Sequence, residues 1–185
     1  MKSLLTTALV LVLISCDTQR NNSKEIEAIV QKELDELKSD EDLKNYLLQL
    51  HEDDQGIRLE RNEANFEHNS MEDKQTSMQM IEQDAVNLIR VEKLMKKFGY
   101  PDPEKVGAQA ANTPLLVIHH SSDTALRRRY FQNLYQAYQE DKLNPDLFLL
   151  YLERTYYMET GERIQMDGPF QFDDKVQLLI GKLKF

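Results

Sequence analysis

A chain of 185 residues has room for one domain with a proper core and hardly for two. With 41% apolar, 30% charged and 8% aromatic residues, it has the composition of a soluble globular protein and not that of a disordered one. The formal net charge of -9 argues against nucleic acid as a partner, because phosphates would be repelled. The one basic run, Arg127-Arg128-Arg129, is short and reads as a solvated helix face. A single cysteine, Cys16, leaves no intramolecular disulfide framework and no Cys-based metal cluster.

In the first sixteen residues, Lys2 supplies a short positive region and Leu4 to Ile14 is almost unbroken apolar sequence. That segment is too short to span a bilayer, which needs about 20 residues, but it suits a signal peptide. It ends in Leu13-Ile14-Ser15-Cys16, which resembles the bacterial lipobox. The resemblance implies cleavage after residue 15, lipidation of Cys16 and stable anchoring through several acyl chains. The expected organisation is a lipoprotein signal peptide over 1–15, a lipidated cysteine with a polar tether over 16–24, and a helical domain over 25–185. The domain would sit outside the cytoplasm on the cell membrane or the outer membrane, with the choice between the two open.

Helical spacing begins with Ile26, Ile29, Val30, Leu34 and Leu37. Ser39 and Asp42 stand at capping-box spacing before a second stripe, Leu43, Tyr46, Leu47 and Leu50. Asp54 and Arg58 are four apart and can pair on one helix face. Arg61 to Thr76 is polar, a solvated loop or a helix extension. Met78, Ile81, Ala85, Leu88, Val91, Met95 and Phe98 predict a long amphipathic helix ending at Gly99-Tyr100-Pro101. Asp84, Asn87 and Arg90 recur every three residues along it, as a solvated ribbon or, facing inward, as the wall of a site. Thr113-Pro114 reads as a cap with proline at the first helical position, so Leu115 to His120 is expected as a short buried helix. Asp123 and Asn144-Pro145 cap two further helices, and Gly161 ends the second. Arg163 to Phe172 reads as an irregular loop or small hairpin, and Val176 to Ile180 as a last short element. The fold class is mainly α: a single helical domain of about five to six helices with a short irregular or hairpin C-terminal segment.

The chemistry concentrates where the apolar run ends in His119-His120-Ser121-Ser122-Asp123. Adjacent histidines on a helix point about 100° apart and seldom chelate one ion. No His-Glu-x-x-His, Walker, Gly-x-Ser-x-Gly or dinucleotide pattern occurs, so neither a metal nor a cofactor is expected. From about Asp54 to Gln171 the chain resembles an uncharacterised bacterial domain-of-unknown-function family. The resemblance rests on Asp54-Gln55 with Arg58, Asp84 with Asn87, Gly99-Tyr100-Pro101, Val106-Gly107, His119-His120-Ser121, Glu153-Arg154 and Gln165 to Gln171. That family shows Gln before its His, Asp where Glu153 stands, and an unbroken Gln-x-Tyr-Gly-Thr-Gln where Met166 to Phe170 intervene here. What the resemblance implies is a helical fold and a shared polar cluster, with no reaction attached.

Asp54, Arg58, Asp84, Asn87, His120, Arg154 and Gln165 can therefore converge, with Gln55, His119 and Gln171 as further ligand contacts. The leading expectation is a membrane-anchored lipoprotein whose helical domain binds an envelope ligand or protein. A second is a metal-independent hydrolase of an envelope component, with His120 as base, Asp84 orienting it and Arg154 binding developing charge. A third is a polar network that only fixes helix packing.

Overall fold

The computed structural model describes residues 23–64, 66–68, 70–164 and 171–185. Cys16, the segment 1–22 and Gln165 to Phe170 lie outside the described residues. The chain divides into two compact units, residues 1–37 and residues 38–185. In the first, residues 23–36 form helix α1, which begins inside the stretch expected as tether.

The second unit holds α2 (Asp40–Ala64), α3 (Met71–Phe98), α4 (Pro103–Val106), α5 (Ala108–His120), α6 (Thr124–Gln139), α7 (Pro145–Thr160) and α8 (Phe172–Leu183). Eight helices and no strand occur among the described residues, against the five or six expected. The difference lies at α4, four residues with no periodicity to read, and at α8, which is a full helix where only a short element was expected.

Most expected helix starts are made by the residues that announced them. Ser39 Oγ accepts from Asp42 N at 3.1 Å while Asp42 Oδ2 accepts from Ser39 N at 2.9 Å, a reciprocal capping box. Asp123 Oδ1 accepts from the amides of Ala125 and Leu126 at 2.9 and 3.1 Å, and Asn144 Oδ1 from Asp146 N at 2.8 Å. The polar stretch after Arg61 is partly a helix extension: α2 runs on to Ala64, and Arg61 ties it to Asp73 of α3 at 2.8 Å.

The stretch from Leu115 to His120 is helical, with Leu115, Val117 and Ile118 buried, but the helix starts six residues before Pro114. Gly107 holds the N-cap position and Pro114 lies inside α5. A mid-helix proline removes one amide donor. Beside it Thr113 Oγ1 stands 3.3 Å from both Gln109 O and Leu47 O, tying α5 to α2 at that point. α5 is the hub of this unit and packs against α2, α3, α4, α6 and α7. Ala110, Ala111, Leu115, Val117 and Ile118 are all buried, so it is enclosed on most faces.

The expected apolar stripe of α3 holds only in its second half. Val91, Leu94 and Met95 are buried, whereas Met78 and Ile81 are 63% and 66% exposed. The inward ribbon is instead polar: Asn87 is fully buried and the Asp84 side chain is only 25% exposed. α8 packs on α7 through Val176, Leu179 and Leu183, and Phe185 stacks on Phe131 with ring centroids 3.7 Å apart.

Candidate functional site

The site begins on α2 with a carboxylate that should not be comfortable. Asp54 is 1% exposed, and an unpaired buried charge would be very costly. Its oxygens are saturated instead. His120 Nδ1 lies 2.9 Å from Oδ2 and 3.2 Å from Oδ1; Gln55 Nε2 donates to Oδ2 at 2.6 Å. Arg58 Nη1 reaches Oδ1 at 3.3 Å and also bonds the Asp54 carbonyl. Burial alone would raise the Asp54 pKa, but the hydrogen bond and charge of His120, then Arg58 and Gln55, outweigh it and hold the group below its usual value.

An ionised carboxylate can only accept hydrogen bonds, so the proton between these groups sits on His120 Nδ1. Whenever the ring is neutral, its lone pair is therefore on Nε2. That atom makes no hydrogen bond among the described residues and is not sealed from solvent. The ring lines a cleft of about 220 Å³ together with Ile81, Asp84, Ala85, Leu88, Val117, Ser121 and Ser122. Asp84 reaches this cleft from α3 with its charge already matched, since Arg58 Nη2 donates to Asp84 Oδ1 at 2.6 Å. A further rung, Arg90 Nη1 to Asp53 Oδ2 at 3.1 Å, holds α2 and α3 in register.

Asp54, Gln55, Arg58, Asp84 and His120 thus meet in one network; the other expected site residues lie elsewhere. Asn87 is buried next to it but accepts from Gln83 Nε2 at 2.8 Å, and its own Nδ2 has no partner. His119 turns to a different wall, its ring 5.6 Å from that of His120 and inclined by 70°. It lines a second, larger pocket of about 360 Å³ with Leu150, Glu153, Arg154, Tyr157, Arg163 and Ile164. Arg154 therefore belongs with His119, not with His120. Gln171 stands at the N-cap of α8 and lines neither cleft; Gln165 lies outside the described residues.

His119 is held neutral. Burial first, then the charges of Arg127 and Arg154, push its pKa down to about 3, against a weaker opposite pull from Asp54. Its buried Nδ1 has no hydrogen-bond partner.

The residue that sequence reasoning missed is Arg127. Expected on a solvated face, it is fully buried. Nη1 donates to His119 O at 2.6 Å and Ile118 O at 3.2 Å, Nη2 to Tyr151 O at 2.7 Å, and Nε to Thr155 Oγ1 at 2.8 Å. The guanidinium also lies over the Tyr151 ring, 4.7 Å from its centroid. The negative end of the α5 dipole and its orphan carbonyls supply the compensation that a carboxylate would otherwise give. Desolvation still lowers the Arg127 pKa to about 10, leaving it charged at neutral pH. One signal was available: Arg127 stands four and seven residues before Phe131 and Leu134, on the buried stripe of α6. Arg128 and Arg129 do pair at the surface, with Glu159 at 2.7 Å and Glu92 at 3.7 Å.

No group of three metal-binding side chains occurs among the described residues, and no described helix is long and apolar enough to cross a membrane. The model of a family of unknown function, DUF6624, matches residues 41–173, and the chain belongs to that family. No curated protein and no solved structure matches the chain.

Proposed function

We propose that this member of DUF6624 is a lipid-anchored envelope protein whose helical unit binds a small ligand in the His120 cleft. The observation that carries the binding reading is the Asp54–His120 pair: a buried carboxylate engages Nδ1 and fixes the ring, so that an unbonded Nε2 lines an open cleft. Ile81, Ala85, Leu88 and Val117 supply an apolar wall, and Ser121 and Ser122 add hydroxyls. Such a lining suits a ligand with an apolar body that offers an amide N–H, amine or hydroxyl to His120. The anchor is supported by the lipobox-like Leu13-Ile14-Ser15-Cys16 after an apolar segment.

The same pair favours a second reading, a metal-independent hydrolase with His120 as general base, because an orienting carboxylate on Nδ1 is what that role requires. Binding is preferred over hydrolysis on charge. Acyl or phosphoryl transfer needs donors aimed at the developing negative charge. Among the described residues lining this cleft no cation is present, and Arg58 beside it is shared between Asp54 and Asp84.

The test uses the full lipoprotein in detergent, exposed to envelope extract, with retained small molecules identified by mass spectrometry. Wild type is expected to retain a species that His120→Gln loses. Identical retention by both would sink the cleft as the site, and conversion of an extract component by wild type alone would establish the hydrolase.

A further inference from the structure

The pocket on the far side of the histidine pair is a different chemical object, and it does not depend on the ligand proposed for the His120 cleft. Two guanidiniums line it. Arg154, on α7, makes no hydrogen bond or ion pair among the described residues. Arg163 lies over the Tyr157 ring, 5.9 Å from its centroid, a contact that positions the cation without using its N–H donors. The one carboxylate of the lining, Glu153, is already neutralised by Lys175. His119 contributes no opposing or competing charge, and its buried Nδ1 has no partner.

The apolar part of the lining is as definite. Leu150 and Tyr157 are 48% and 50% exposed, an unusual investment of large apolar surface beside two cations. Ile164 continues that surface. At about 360 Å³ the pocket falls in the size range that small-molecule sites occupy.

We propose that this pocket is a binding site for a small organic anion, a carboxylate or phosphate monoester on an apolar or aromatic body. Arg154 and Arg163 take the anionic group, and Leu150, Tyr157 and Ile164 take the body. Guanidiniums fork onto planar or tetrahedral oxyanions with paired N–H bonds, which ammonium groups do not.

Benzoate and phenyl phosphate, with benzyl alcohol as the uncharged control, test this on the full chain by calorimetry and by NMR of the His119 and arginine side chains. Either anion is expected to bind at millimolar concentration, at least about tenfold more tightly than the alcohol, the ratio that one charge-assisted contact gives. Arg154→Gln should lose about tenfold and Arg154→Lys less, because a point charge keeps attraction without the fork. His120→Gln should bind the anions as wild type does, which separates failure here from failure of the His120 cleft. Circular dichroism melts of each variant confirm folding; Arg154 is exposed, so little change is expected. The proposal is overturned if neither anion binds at 50-fold excess over a ~1 mM scale, if the alcohol binds as well, or if Arg154→Gln binds undiminished.

Discussion

At the level of single residues, the two histidines that adjoin in sequence have opposite electrostatic fates. His120 is tied to a carboxylate, whereas His119 is surrounded by burial and positive charge and titrates near pH 3. In an unfolded chain His119 would take up its proton near pH 6.5. Between these values the unfolded state binds more protons than the folded one. Stability linked to His119 is therefore intact above about pH 6.5 and lost as pH falls toward 3. One such group sets a limiting slope of about 1.4 kcal/mol per pH unit, reduced where solvent reaches the ring. Denaturant melts from pH 7 to pH 4 should show a shallower loss in His119→Gln than in wild type. Parallel curves would contradict the assignment. Asp54 adds to acid sensitivity at lower pH, since its depressed pKa means that its contribution disappears only as that lower value is crossed.

At the level of elements, the helix that carries both histidines enters through a glycine no other residue replaces easily. Gly107 has φ 84° and ψ 155°, a region essentially reserved for glycine. An added Cβ would meet nothing within 4 Å, so the penalty of Gly107→Ala is purely one of backbone. We expect about 1–3 kcal/mol of destabilisation by urea titration. Gly161→Asn should cost only tenths, because φ 74° and ψ 1° is the left-handed region that asparagine tolerates. Equal losses for the two substitutions would refute this contrast. The elements themselves were largely legible, because Ser39, Asp123, Asn144 and Gly161 signal helix ends by local chemistry alone. α4 was not, since one turn has no period. Pro114 misled because proline is commoner at a helix start than inside one, and only packing around α5 reveals which applies. The site was legible in its members more than in its partition. Asp54 and Arg58 look like any surface pair four apart; the partner that marks Asp54 as a site residue, His120, comes 66 residues on. That Arg154 joins His119 and not His120 depends on which way the end of α5 is rotated, which sequence spacing leaves open.

At the level of the whole molecule, the anchor and the two pockets make separate demands. The anchor proposed at Cys16 predicts that Cys16→Ser moves the protein from the membrane to the soluble fraction and removes the acyl mass from its N-terminal peptide. Continued sedimentation with membranes at high salt would reject it, because electrostatic adsorption is screened there while acyl chains hold. The unit beyond residue 37 carries its own core around α5 and has no need of the bilayer for packing. Within it, the last turn of α5 is fastened twice, by means that respond differently to acid. The Asp54 clamp ends when that carboxylate takes up a proton. The Arg127 fastening rests on carbonyl and hydroxyl oxygens, which do not titrate in water, and on a guanidinium that acid only keeps charged. Acid consequently reaches the two sides of the histidine turn in sequence: the joint of α5, α6 and α7 is loaded first, as His119 gains a charge beside Arg127, and the α2–α3 side is unlatched only when Asp54 is protonated, so amide exchange should rise in that order.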